Sequence, residues 1–84
     1  MERLPAMIKL SKVRMGTDGQ VHVVFDDGVS YSLDPKPVLQ QRLIAIPLDR
    51  PIKVSLASNH NFLCIESTRI YASVLYNVAT YKGV

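Results

Sequence analysis

The chain has 84 residues, 48% of them hydrophobic and 20% charged. It is too short for two self-sufficient cores and too apolar for a disordered segment. Ten Lys and Arg against seven Asp and Glu leave a net charge of +3, short of what a strong polyanion binder carries, and a single cysteine, Cys64, excludes an internal disulfide framework and a cysteine-rich zinc site.

No apolar run approaches the ~18 residues of a membrane-spanning helix, so no membrane association is expected. The opening Met1-Glu2-Arg3-Leu4-Pro5-Ala6 lacks the continuous apolar core of a secretory signal. A reducing, cytoplasmic setting is therefore expected. Residues 1–6 have no period and read as a loose tail, leaving residues 7–84 as a single domain.

From Met7 the apolar residues Ile8 and Leu10 alternate with Lys9 and Ser11, after which the phase slips and Val13 and Met15 continue the apolar side. That slip predicts a strand carrying a β-bulge. Gly16-Thr17-Asp18-Gly19 supplies positive φ for a turn, and Val21, Val23 and Phe25 then alternate with His22 and Val24 as a second, antiparallel strand. Asp26-Asp27-Gly28 precedes a third run with Val29, Tyr31 and Leu33 on the apolar side. Asp-Gly between two alternating runs predicts a tight hairpin, here expected to be type I′. Three strands make a meander.

Asp34 to Arg42 reads as a short helix, with Asp34 as cap and Pro35 at the first helical position. Leu43 to Leu48, interrupted by Pro47, predicts a buried connector or an edge strand. Ile52, Val54 and Leu56 make a fourth strand, Ser58-Asn59-His60-Asn61 a polar turn, and Phe62-Leu63-Cys64-Ile65 a fifth strand. A brief strand at Arg69 to Tyr71 followed by a helix capped near Ser73 is favoured for the C-terminal part, although its β-branched and aromatic residues also suit a strand. The expectation is an α+β fold: a small antiparallel sheet of about five strands with a meander start and one or two short helices. No internal repeat is visible.

The chemistry-bearing residues are few. Asp26 and Asp27 are expected to serve turn geometry. His22 is placed on the solvent face of its strand and His60 in a turn, and neither has the converging donors a metal site needs. Cys64, within Phe-Leu-Cys-Ile, reads as a buried inert thiol. The sequence offers no visible set of nucleophile, base and oxyanion donor, so neither an enzyme nor a cofactor is expected.

Phe25-Asp26-Asp27-Gly28, Leu33-Asp34 and Pro37-Val38-Leu39, with Ile46-Pro47-Leu48 and Val74-Leu75-Tyr76 further on, resemble a small bacterial family, domain of unknown function 2442. The resemblance would cover about residues 8 to 77. It implies a compact α+β fold, sometimes found beside a helix-turn-helix domain or encoded near toxin-like partners, and carries no catalytic residue.

These observations lead to a small non-enzymatic accessory or regulatory protein of prokaryotic or phage type that acts by binding another protein. Ten valines, nine leucines and six isoleucines exceed what a thin sheet covers, so a homodimer is expected, with Tyr76, Val78 and Tyr81 as its interface residues. The alternative is a nucleic-acid-binding module using Lys9, Lys12, Arg14 and Lys53 on a basic strand face.

Overall fold

The computed structural model describes residues 8–81, so the expected loose tail at 1–6 lies outside the described residues. The elements run β1 (Leu10–Met15), β2 (Val21–Phe25), β3 (Ser30–Leu33), α1 (Pro35–Gln41), β4 (Val54–Leu56), β5 (Phe62–Ile65), β6 (Thr68–Tyr71) and α2 (Ala72–Thr80). The strands form two three-stranded antiparallel meanders, β1-β2-β3 and β4-β5-β6. Each meander leads into its own helix, so one order of elements occurs twice in a chain without a visible sequence repeat.

The α+β class and the opening meander are those expected from the sequence. The single sheet of about five strands is corrected to two sheets of three. One pair of bonds joining the halves comes from a single residue: Leu10 N–H donates to the His60 carbonyl (2.9 Å), and His60 Nδ1 donates to the Leu10 carbonyl (2.8 Å). His60 holds a left-handed backbone, φ 63°, that only glycine, asparagine and a few others adopt at low cost. Its clamp on Leu10 offsets that cost.

Period-two alternation places the core. Val21, Val23 and Phe25 of β2 face inward with Leu63 and Ile65 of β5, and Ile8, Leu10, Leu39, Ile70 and Leu75 fill the space between. The phase slip in β1 is a bulge between Leu10 and Lys12, which returns Val13 and Met15 to the apolar side. Cys64 departs from expectation. It is half-buried because Leu63 and Ile65 take the inward positions, and its register partners on the other face are Ser55 and Arg69.

Two hairpins share one turn design. Gly16 N–H donates to the Gln20 carbonyl and Gly19 N–H to the Gly16 carbonyl; Phe25 N–H donates to Val29 and Gly28 N–H to Phe25 in the same pattern. Asp18 Oδ1 accepts from Gln20 N–H and Asp27 Oδ1 from Val29 N–H, each at 3.0 Å. Positive φ falls on Gly19 (81°) and Gly28 (93°), while Asp27 is not among the positive-φ residues. The type I′ expectation is thus corrected to a type I turn closed by a glycine bulge, which needs only one left-handed residue.

Asp34 Oδ1 caps α1 by accepting from Lys36 N–H (3.0 Å), with Pro35 at its first position. The helix ends in a Schellman motif: Leu43 N–H donates to Gln40 and Ile44 N–H to Leu39. The left-handed residue of that motif is Leu43, φ 58° and 94% exposed, where glycine is usual. Leu43→Gly removes strain without losing burial and is expected to stabilise the fold by about 0.5–1 kcal/mol. A lower urea midpoint for this variant would contradict the assignment.

The connector after α1 is neither strand nor buried throughout. Ile44 and Ile46 pack on the core while Leu43 and Leu48 face solvent. Its far end is pinned by Glu66, which accepts two hydrogen bonds from Arg50 (2.6 and 2.8 Å) and one from Lys53 N–H (2.6 Å). The Arg50 guanidinium first, and the Lys53 N–H second, lower the Glu66 carboxyl to about 2. The unfolded chain, with a carboxyl nearer its ordinary 4.5, binds the proton more readily. Stability from this group is complete above pH 4.5 and is lost as pH falls towards 2. The melting temperature of Glu66→Gln is expected to fall less than that of the wild type over this window; parallel curves would refute the pairing.

Candidate functional site

Three rows of register cross the first sheet. Lys12, Val24 and Ser30 form one, Val13, Val23 and Tyr31 the next, and Arg14, His22 and Ser32 the third. These rows, with Val54, Ser55 and Leu56 of β4, line a groove of about 690 Å³. Directly paired residues share a face of the sheet, so Lys12, Arg14, His22, Ser30 and Ser32 present cations, an imidazole and hydroxyls on one face. Neither Lys12 nor Arg14 has a side-chain partner among the described residues. Of the four basic residues singled out from the sequence, these two line the groove. Lys9 and Lys53 are exposed outside it.

His22, expected on a solvent face, is in fact held at both ring nitrogens. Ser32 Oγ lies 2.7 Å from Nδ1, and Asp18 Oδ1 and Oδ2 lie 3.1 and 3.2 Å from Nε2. The Asp18 carboxylate can only accept, so Nε2 carries a proton, and in the neutral imidazole Nδ1 accepts from the Ser32 hydroxyl. The Gln20 N–H first, and His22 second, hold the Asp18 carboxyl below its ordinary value. Gly16 makes room for this pair: a Cβ there would stand 2.4 Å from His22 Nε2 and 2.5 Å from Asp18 Oδ1. The three residues come from a turn and two strands, and no sequence spacing brings them together. Only the register, His22 opposite Ser32, does so.

A second concave surface lies between the helices. Leu33, Pro37, Val38, Ile70, Val74 and Val78 are among the residues around its roughly 530 Å³. Val74 and Val78 stand at i and i+4, a spacing that puts them on one side of α2, and are 51% and 54% exposed. Among the interface residues expected from the sequence, Val78 is on this exposed side, and Tyr81, 76% exposed, follows the end of the helix with extended backbone. Tyr76 is placed otherwise. Its ring meets Phe25 edge-on at 5.0 Å and 83°, and its hydroxyl donates to Asp27 Oδ2, so it fastens α2 to the β2–β3 turn.

The outer face of the second sheet carries a group that sequence reading missed. Phe62 and Tyr71 are register partners with ring centroids 4.7 Å apart, and the Arg69 guanidinium lies 5.7 Å from the Phe62 centroid. Phe62 and Tyr71 are nine positions apart, and the signal that could have paired them was the two-residue turn at Glu66-Ser67. Among the described residues no helix is long and apolar enough to cross a membrane. No family model matches the chain, and no curated protein or solved structure matches it.

Proposed function

We propose that the chain is a small protein-binding module whose contact surface is the exposed side of α2 with the groove beside it, and that two copies join through this surface. The observation that carries the reading is the composition and exposure of α2. Ala72 to Thr80 contains no charged residue, while Val74 and Val78 are half exposed. An exposed helix ordinarily turns charged residues to water. A neutral apolar side also meets its own copy across a two-fold axis without like-charge repulsion. Covering each half-exposed valine contributes about 1 kcal/mol, and the two-fold doubles every such contact. An accessory role of prokaryotic type is what the sequence resemblance to the small bacterial family implies. Light scattering is expected to show a mass above that of the monomer by roughly 100 μM; a monomer at that concentration contradicts the reading.

A second reading is favoured by Lys12 and Arg14, without side-chain partners among the described residues, in the groove and by the Phe62–Tyr71–Arg69 group, since cations and aromatic rings suit single-stranded nucleic acid. Fluorescence anisotropy with a labelled oligonucleotide tests it. Binding must weaken steeply with added salt and with Lys12→Ala and Arg14→Ala; salt-independent or absent binding removes it.

A further inference from the structure

We propose that Ser32 is a nucleophile activated by His22 and Asp18, and that the first-sheet groove accepts carboxylic esters as acyl donors. The hydrogen-bonded order is the one such chemistry requires: a hydroxyl donating to an imidazole nitrogen (2.7 Å), whose other nitrogen donates to a carboxylate (3.1 Å). Here Nδ1 rather than Nε2 faces the nucleophile, a reversal that leaves the proton path intact because either nitrogen of a neutral imidazole can serve as the base.

Turn formation does not account for the arrangement. The β2–β3 turn has the same backbone bonds and the same Asp contact to the residue two positions on, and it closes without an imidazole. The contacts of His22 to Asp18 and Ser32 are additional. Gly16 lacks the one atom that would displace both His22 Nε2 and Asp18 Oδ1. Ser32 is exposed on a strand, where its backbone is fixed by β2, and it faces the groove. On the other side of His22 in the same register row is Arg14, a cation with no side-chain partner among the described residues, available to an oxyanion.

In the first step Ser32 Oγ forms a bond to the acyl carbon and its proton passes to His22 Nδ1, while the carbonyl electron pair moves onto oxygen on the Arg14 side. Collapse of that adduct breaks the bond to the alkoxide, which leaves with the proton from Nδ1. Water then attacks the acyl-serine, gives its proton to Nδ1, and releases the acid as Ser32 Oγ takes that proton back. Ester and water are consumed, and acid and alcohol are formed.

The test is labelling of the full chain with a fluorophosphonate probe, in which Ser32 Oγ displaces fluoride from phosphorus, together with hydrolysis of p-nitrophenyl acetate. Labelling is expected at Ser32 by peptide mass and to vanish in Ser32→Ala. Gly16→Ala, which alters none of the three residues, and His22→Gln are each expected to slow both reactions by about tenfold to a hundredfold, while Ser67→Ala, exposed in the β5–β6 turn and outside the groove, leaves them unchanged. Circular dichroism melts establish that each variant is folded. No labelling of the wild type above Ser32→Ala, or equal rates in folded Gly16→Ala and wild type, overturns the proposal. Neither result bears on self-association through α2.

Discussion

Phe25→Ala is expected to bring the fold close to global unfolding at room temperature. Phe25 is 1% exposed and is the largest fully buried side chain. It ends the inward row of β2, and its ring is the surface against which Tyr76 of α2 stands edge-on. Truncating a buried phenylalanine typically costs about 3–5 kcal/mol, and a chain of this size holds only about 5–10 kcal/mol in total. The aromatic contact is lost in the same step, and with it the packing that holds α2 over the β2–β3 turn. A urea midpoint within experimental error of the wild type would mean that the core is not centred on β2.

Gly28→Val and Gly19→Val are expected to destabilise by about 1–3 kcal/mol each, and by similar amounts. The two loops have the same length, the same pair of backbone bonds and the same Asp contact. Open space surrounds both glycines, with no atom within 4 Å of an added Cβ. The penalty therefore comes from backbone conformation alone, φ 81° and 93°, which a β-branched residue opposes. Gly28→Asn, which tolerates the left-handed region, should recover most of the loss. If Asn is as damaging as Val, conformational strain is not the cause.

What was legible in the sequence was local. Asp-Gly turns, the Asp34-Pro35 helix start and the alternation of Val21, Val23 and Phe25 each depend on residues within a few positions of one another, and the structure has all three. The type of the Asp27-Gly28 turn was misjudged because one and two left-handed residues leave the same Asp-Gly signature. The division into two sheets was not legible, since it depends on which strands pair, and the His60 clamp that joins the halves reaches Leu10, fifty positions away. Tyr76 looked like surface because the helical period cannot say that Phe25 and Asp27 lie opposite it. The Asp18–His22–Ser32 chain was hidden for the same reason: register across β2 and β3 pairs His22 with Ser32, and composition carries no trace of it. The exposure of Val78 and Tyr81 agrees with their choice as surface residues, since the stretch Ala72–Thr80 before Tyr81 carries no charged residue that would otherwise face water.

The two proposed roles use adjoining surfaces. The exposed side of α2 is without charge, the groove beside it also takes Asp34, Gln41 and Arg42, and the first-sheet groove carries Lys12, Arg14 and hydroxyls. Tyr31 and Ser32 line both grooves, whereas Val74 and Val78 line only the one beside α2, so substitutions at these two valines are expected to leave the Ser32 chemistry unaffected. Sedimentation equilibrium of the wild type and Val78→Asp, run side by side from roughly 1 to 100 μM, tests the association most directly. Val78 is 54% exposed, so an aspartate there meets water in the monomer and should leave the melting temperature nearly unchanged, whereas across a two-fold contact it brings like charges together in an apolar setting. The account predicts a wild-type mass that rises from 9.4 kDa towards twice that value and a variant that stays monomeric throughout. A wild type that remains monomeric, or a variant that associates equally well, would contradict it.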